Sequence, residues 1–166
     1  LMKKIFLFLL FFQFFISNLY ANSNIVFVDI DYLLENSTIG KNAILKLEQI
    51  DKKNVASLKK KELDLKKIEN EIKKKQNIIS EEELKKEVEA LKQKISQLKQ
   101  EKDLMVNNFS NLKNDELGKV IFKINEAIQE YMNKNSVDLV FDKKKIYIGK
   151  NLVNITDKIL DQLENK

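Results

Sequence analysis

The chain has 166 residues, 43% hydrophobic and 33% charged, with a net charge of +5 and no Cys, His, Trp or Pro. All 30 basic residues are Lys. Without thiol or imidazole there is no cysteine or histidine catalysis, no disulfide and no common structural zinc site. Without Arg there is no bidentate guanidinium readout of bases or phosphates. The length suits one domain, or one domain with a long projection.

Lys3 and Lys4 precede an apolar run from Ile5 to Ile16, interrupted only by Gln13, and a polar stretch that ends in the small residue Ala21. A basic head, a dozen apolar residues and a small residue at the boundary are the plan of a secretory signal peptide, with cleavage expected after Ala21. The competing reading is an uncleaved membrane anchor, against which stands a run that spans well under the bilayer core of about 30 Å. Residues 1–21 are therefore expected to be removed on export.

Asn24 to Asp29 contains four consecutive apolar residues, Ile25-Val26-Phe27-Val28, the pattern of a well-buried strand. Asp31 to Glu35 suits a helical turn, and Asn36-Ser37-Thr38-Ile39-Gly40 a loop. From Lys41 to Gln76 there is no Gly. Ile44, Leu47, Ile50, Val55, Leu58, Leu65, Ile68 and Ile72 recur there at imperfect three-to-four spacing, which predicts a long amphipathic helix with a narrow apolar stripe. Ser80-Glu81-Glu82-Glu83 is a capping box, so residues 77–79 should reverse the chain.

The second helix carries Leu84, Val88, Leu91, Ile95, Leu98, Lys102, Met105, Phe109 and Leu112, alternating four and three. That is a coiled-coil seam broken only by Lys102. Beyond it, Leu117, Ile121, Ile124, Ile128 and Tyr131 lie on an offset stripe around Gly118, where the helix should leave its partner for a body. The helix should end near Asn135. Val137 to Phe141 and Ile146 to Ile148, joined by the polar turn Asp142 to Lys145, predict a β-hairpin. Residues 154–163 predict a closing helix.

The fold class is thus α+β and mostly α: a long antiparallel helical hairpin over residues 41–112, turning near 77–80, projects from a small β body. Residues 22–40 and 113–166 form that body. Three short strands and one small helix make a small core, which predicts oligomerisation. The apolar strand residues Ile25, Val26, Phe27, Val28, Val137, Leu139, Phe141, Ile146 and Ile148 are the candidates for the oligomer body.

Residues 41–76 hold 12 Lys against 6 acidic residues. The lysine runs are either solvated helix faces or an electropositive arm attractive to acidic partners. Asp29-x-Asp31 lacks further ligands at a recognised cation spacing and suits a strand end. Asp157 and Asp161 lie one turn apart with no pocket in view. No enzyme, cofactor or metal is expected, and no specific nucleic-acid binding, since no aromatics interleave the lysines.

At these residues the chain resembles the Skp/OmpH family of periplasmic chaperones. The resemblance is carried by Ile25-Val26-Phe27-Val28-Asp29, the Ser37-Thr38-Ile39-Gly40-Lys41 loop, Val137-Asp138-Leu139-Val140-Phe141-Asp142 and Asn154-Ile155-Thr156. Where many members have Gly, Ser136 stands, and Asn154 replaces their Asp. The resemblance implies a homotrimer with three helical tentacles around a cavity, holding unfolded outer-membrane β-barrel proteins without ATP. Candidate client contacts are Lys59, Lys60, Lys66, Lys67, Lys73, Lys74 and Lys75 on the first arm helix, and Ile78, Ile79, Leu84 and Val88 near the tip. Anionic lipid or lipopolysaccharide are further candidate partners. The competing reading is an exported coiled-coil scaffold or spacer of the envelope.

Overall fold

The computed structural model describes residues 23–165; the export signal expected over residues 1–21 lies outside them. In chain order the elements are strand β1 (Ile25–Val28), helix α1 (Ile30–Asn36), the long helices α2 (Thr38–Lys75) and α3 (Glu81–Asn135), strand β2 (Leu139–Asp142) and the closing helix α4 (Thr156–Glu164). Two single 3-10 turns, Lys143–Lys145 and Asn151–Val153, lie between β2 and α4.

Local capping chemistry sets the helix boundaries. Asp29 caps α1, its Oδ1 accepting the Tyr32 N–H at 3.0 Å. Ser37 then serves two helices at once. Its N–H closes α1 on the Leu33 carbonyl at 3.0 Å, while its Oγ accepts the Gly40 N–H at 3.2 Å and opens α2. The loop expected over residues 36–40 is therefore one residue long, and α2 starts at Thr38, three residues earlier than predicted. At the far end, the Lys75 carbonyl accepts the N–H groups of Ile78 and Ile79 at 2.8 and 3.1 Å, and Ser80 caps α3 through the Glu83 N–H, as the capping box predicted. Helix α3 runs 55 residues, about 80 Å at 1.5 Å per residue. It ends at Ser136, which adopts the left-handed conformation with φ 50°.

The sheet differs from the expected hairpin. Strands β1 and β2 pair in parallel, with Ile25 opposite Leu139 and Phe27 opposite Phe141, so the whole arm is the crossover between them. Ile146 to Ile148 forms no strand. Two interactions account for this. The Asp142 side chain accepts the Lys144 N–H at 3.0 Å and starts a 3-10 turn. Lys143 and Lys144 then pair with Asp29 and Asp31 across the end of β1, which draws the chain over that end rather than back along β2. The place of a third strand is taken by Asn154, bridged to Phe27, and by the Ile155 N–H, which donates to the Phe27 carbonyl at 2.9 Å. Asn154 also caps the approach to α4, its Oδ1 accepting the Thr156 N–H at 3.0 Å.

The core lies where the inner sheet face meets α1, α4 and the base of the arm. Val26 and Val28 point into it, with Leu33, Ala43, Val120, Ile124, Ala127, Ile128, Val137, Ile155 and Ile159. Of the offset stripe expected on α3, Ile124 and Ile128 are buried but Leu117, Ile121 and Tyr131 are only half-buried. Val120 and Ala127 fill the centre instead. The packed face is wider than one stripe because α3 meets both α1 and α4 there.

Candidate functional site

The arm is an antiparallel pair whose seam is thin. On α2, Ala43, Leu47 and Ile72 are buried, while Ile50, Leu58, Leu65 and Ile68 are half-buried. Val55, expected in the stripe, is exposed and Asn54 occupies the seam beside it. On α3, Ile95 and Lys102 are exposed although the heptad placed both in the seam. No apolar layer forms at Lys102, because the adjacent Glu101 faces Lys61 across the helices.

That ion pair is the middle rung of three. Lys46–Glu116 (2.9 Å), Lys61–Glu101 and Lys75–Glu87 (3.1 Å) each join α2 to α3. Going from the base to the tip, the rungs are separated by 15 and then 14 residues on both helices. The equal steps fix one antiparallel register, and the helical repeat puts all three rungs on one face of the hairpin. The hydrogen bond to Glu87 and its charge hold the Lys75 ammonium above the ordinary lysine range. The Lys46 and Lys119 hydrogen bonds hold the Glu116 carboxyl below the ordinary glutamate range.

Open troughs lie between the rungs. A cavity of about 420 Å³ opens between the first and second rungs over Ile50, Leu104, Met105, Phe109 and Leu112, edged by Asn54 and Asn108. A second of about 280 Å³ lies beyond Lys61–Glu101 over Leu65, Ile68 and Leu98, edged by Gln97. The opposite face carries a groove of about 340 Å³ over Val55, Leu58 and Val106.

The expected arm contacts fall into three groups. Lys59, Lys60, Lys66 and Lys74 are exposed and make no ion pair among the described residues. Lys67, Lys73 and Lys75 are engaged, by Asp64, Glu69 and Glu87 respectively. At the tip only Ile78 stands free, 82% exposed, while Ile79, Leu84 and Val88 are half-buried. Sequence reasoning missed Leu104 and Asn108. The available signal was an apolar residue directly beside a seam position, Leu104 before Met105, where a two-helix coil has no partner to cover it.

In the body, Val26, Phe27, Val28 and Val137 are buried within the chain itself. Ile25, Leu139, Phe141 and Ile148 are exposed, and Ile146 is half-buried. Ile25, Leu139 and Phe141 line the outer face of the sheet, and Tyr147, Ile148 and Leu152 are fully or almost fully exposed on the segment that follows β2. The outer edge of β2 has no strand partner among the described residues.

A family model described as outer membrane protein (OmpH-like) matches residues 24–163. The chain belongs to the OmpH-like family. Among solved structures it is similar to a candidate outer membrane chaperone (OmpH-like) from Caulobacter crescentus CB15, with a TM-score of 0.81 and 17% identity over 87% of this chain and 86% of that one. At that identity the likeness is one of fold. A comparison with curated proteins finds no match.

As an OmpH-like protein, the chain places its family-type motifs where their chemistry is visible. The Ser-x-x-Gly segment is the buried cap shared by α1 and α2, and Ser136 stands at a left-handed position where a glycine would be unstrained. Asp29-x-Asp31 is a helix cap and two ion pairs to Lys143 and Lys144.

Proposed function

We propose that this OmpH-like protein is an ATP-independent holdase chaperone of the periplasm that keeps unfolded outer-membrane β-barrel proteins from aggregating between the arms of a homotrimer. The observation that carries this reading is the arm: two long helices, thinly packed, whose both ends return to one small body. A spacer would be served by a single straight rod, whereas this chain reverses over residues 76–80. Self-association is supported by the exposed apolar residues Ile25, Leu139 and Phe141 on the outer sheet face, beside an unpaired strand edge. The related chaperone fold from Caulobacter crescentus adds to it.

Holding by many weak, open contacts needs no nucleotide, and flexible arms suit clients of different size. The unpaired lysines Lys59, Lys60, Lys66 and Lys74 would draw in acidic segments, or an anionic lipid or lipopolysaccharide surface, in a salt-sensitive way. The test dilutes a urea-unfolded outer-membrane β-barrel into buffer with rising amounts of the protein and follows light scattering. Suppression saturating near one trimer per client, without nucleotide, is expected. Unchanged scattering by a folded, helical protein would overturn the reading in favour of the scaffold. Sedimentation that gives a monomer would overturn the trimer alone.

A further inference from the structure

We propose that the face of the arm bearing the three ion-pair rungs is a docking surface for an extended, unfolded polypeptide segment, whose apolar side chains enter the troughs between rungs. This rests on the holdase reading and specifies where and how it acts.

The chemistry of the face selects that occupant. Its floor is apolar, with Leu104 62% exposed over Met105, Phe109 and Leu112. Its charges cancel, since each rung lysine is held by its own glutamate. Besides the rung, the second trough is lined by one lysine without an ion pair among the described residues, Lys94, and one carboxylate, Asp64, so the face stays neutral and an anionic surface would gain little here. At the rims, the side-chain amides of Asn54, Asn108 and Gln97 make no hydrogen bond among the described residues. A carboxamide both donates and accepts, which matches the unpaired N–H and C=O groups of an extended backbone. A lipid tail would leave those amides unused.

The spacing also fits an extended chain. The two troughs share the Lys61–Glu101 rung as a wall, and their lining residues are centred about nine residues apart on each helix, roughly 14 Å along the arm. A strand advancing about 3.3 Å per residue covers that distance in about four residues, with every second side chain turned to the same face. A segment with alternating apolar residues can therefore fill one trough, pass over Lys61–Glu101 and fill the next. The contacts are shallow and open, so they favour a pattern over a particular sequence.

Leu104 and Val106 make the test clean. They lie two residues apart on α3 and are similarly exposed, 62% and 58%, but they line opposite faces of the hairpin. Leu104→Gln and Val106→Gln would be prepared in the full protein and checked for unchanged helicity. Their affinity for a fluorescein-labelled, urea-unfolded outer-membrane β-barrel would be read by anisotropy at low and high salt. Leu104→Gln is expected to weaken binding about fivefold, the scale of one lost apolar contact, at both salt concentrations. Val106→Gln should bind as the unsubstituted protein does. Equal or reversed effects, with the unsubstituted protein binding normally, would overturn this surface and leave the holdase standing. No binding by the unsubstituted protein would overturn both.

Discussion

Glu164, the last residue of α4, receives both the backbone N–H of Thr38 (2.7 Å) and its hydroxyl, at the first turn of α2. The C-terminal helix is thereby tied to the point where the arm leaves the body. The exposed carboxylate also sits at the positive end of a 38-residue helix. The Thr38 hydroxyl and N–H together hold its pKa below the ordinary glutamate range.

A carboxyl lowered in the folded state contributes stability that is fully present above its unfolded pKa and is lost as pH falls through the folded one. Glu164→Gln should therefore lower the thermal midpoint at neutral pH, with the difference from the unsubstituted protein closing toward about pH 3. A midpoint difference that stays constant from neutral to acid would remove the tie from the account.

Two glycines should respond in opposite directions. A Cβ on Gly40 would stand 1.8 Å from the Leu34 carbonyl oxygen, so α1 and α2 meet only because that atom is missing. Gly40→Ala should cost about 2–4 kcal/mol in urea unfolding. Gly118, exposed on α3 with nothing within 4 Å of its Cβ direction, should gain about 0.5–1 kcal/mol as Ala. Equal responses would contradict the packing.

Ser136 holds a positive φ of 50° without a glycine's freedom. Ser136→Gly should raise stability by roughly 0.5–1 kcal/mol, measured as a shift of the urea midpoint at constant slope. Destabilisation would mean that the serine contributes more than its backbone strain removes.

The rung Lys61–Glu101 is half-exposed on both partners, so its coupling should be small, about 0.2–1 kcal/mol, and should shrink in salt. A double-mutant cycle of Lys61→Ala and Glu101→Ala measures it. Its larger role is register. Reversing one charge, Lys61→Glu, should destabilise the arm, and adding Glu101→Lys should restore it. If the double reversal is no better than the single one, the pair does not align the helices.

Much of the arm was legible from local signals. The Ser80 capping box, the absence of Pro, and the seam from Leu84 to Leu112 act within one or two helical turns, and α3 ended at Asn135 as expected. The seam was misjudged where two helices must agree. Lys102 falls on the heptad of α3, but a layer needs apolar residues from both sides, and α2 offers Lys61 there. Of the candidate contacts, Lys59, Lys60, Lys66 and Lys74 are exposed and without an ion pair among the described residues, and Ile78 is exposed, while Ile79, Leu84 and Val88 are half-buried, a packing that local spacing does not reveal.

The sequence by itself determined the helices, their caps and their reversal, because those depend on neighbours three or four residues apart. Only the tertiary structure decided that β1 pairs in parallel with β2, since Ile25 and Leu139 lie more than a hundred residues apart and either pairing direction satisfies an apolar run. It also decided that Lys143 and Lys144 cross to Asp29 and Asp31 instead of turning a hairpin, and that three Lys–Glu rungs share one face. Each of these is a contact between distant segments. Its free energy depends on where the whole hairpin brings them, and no local pattern carries that information.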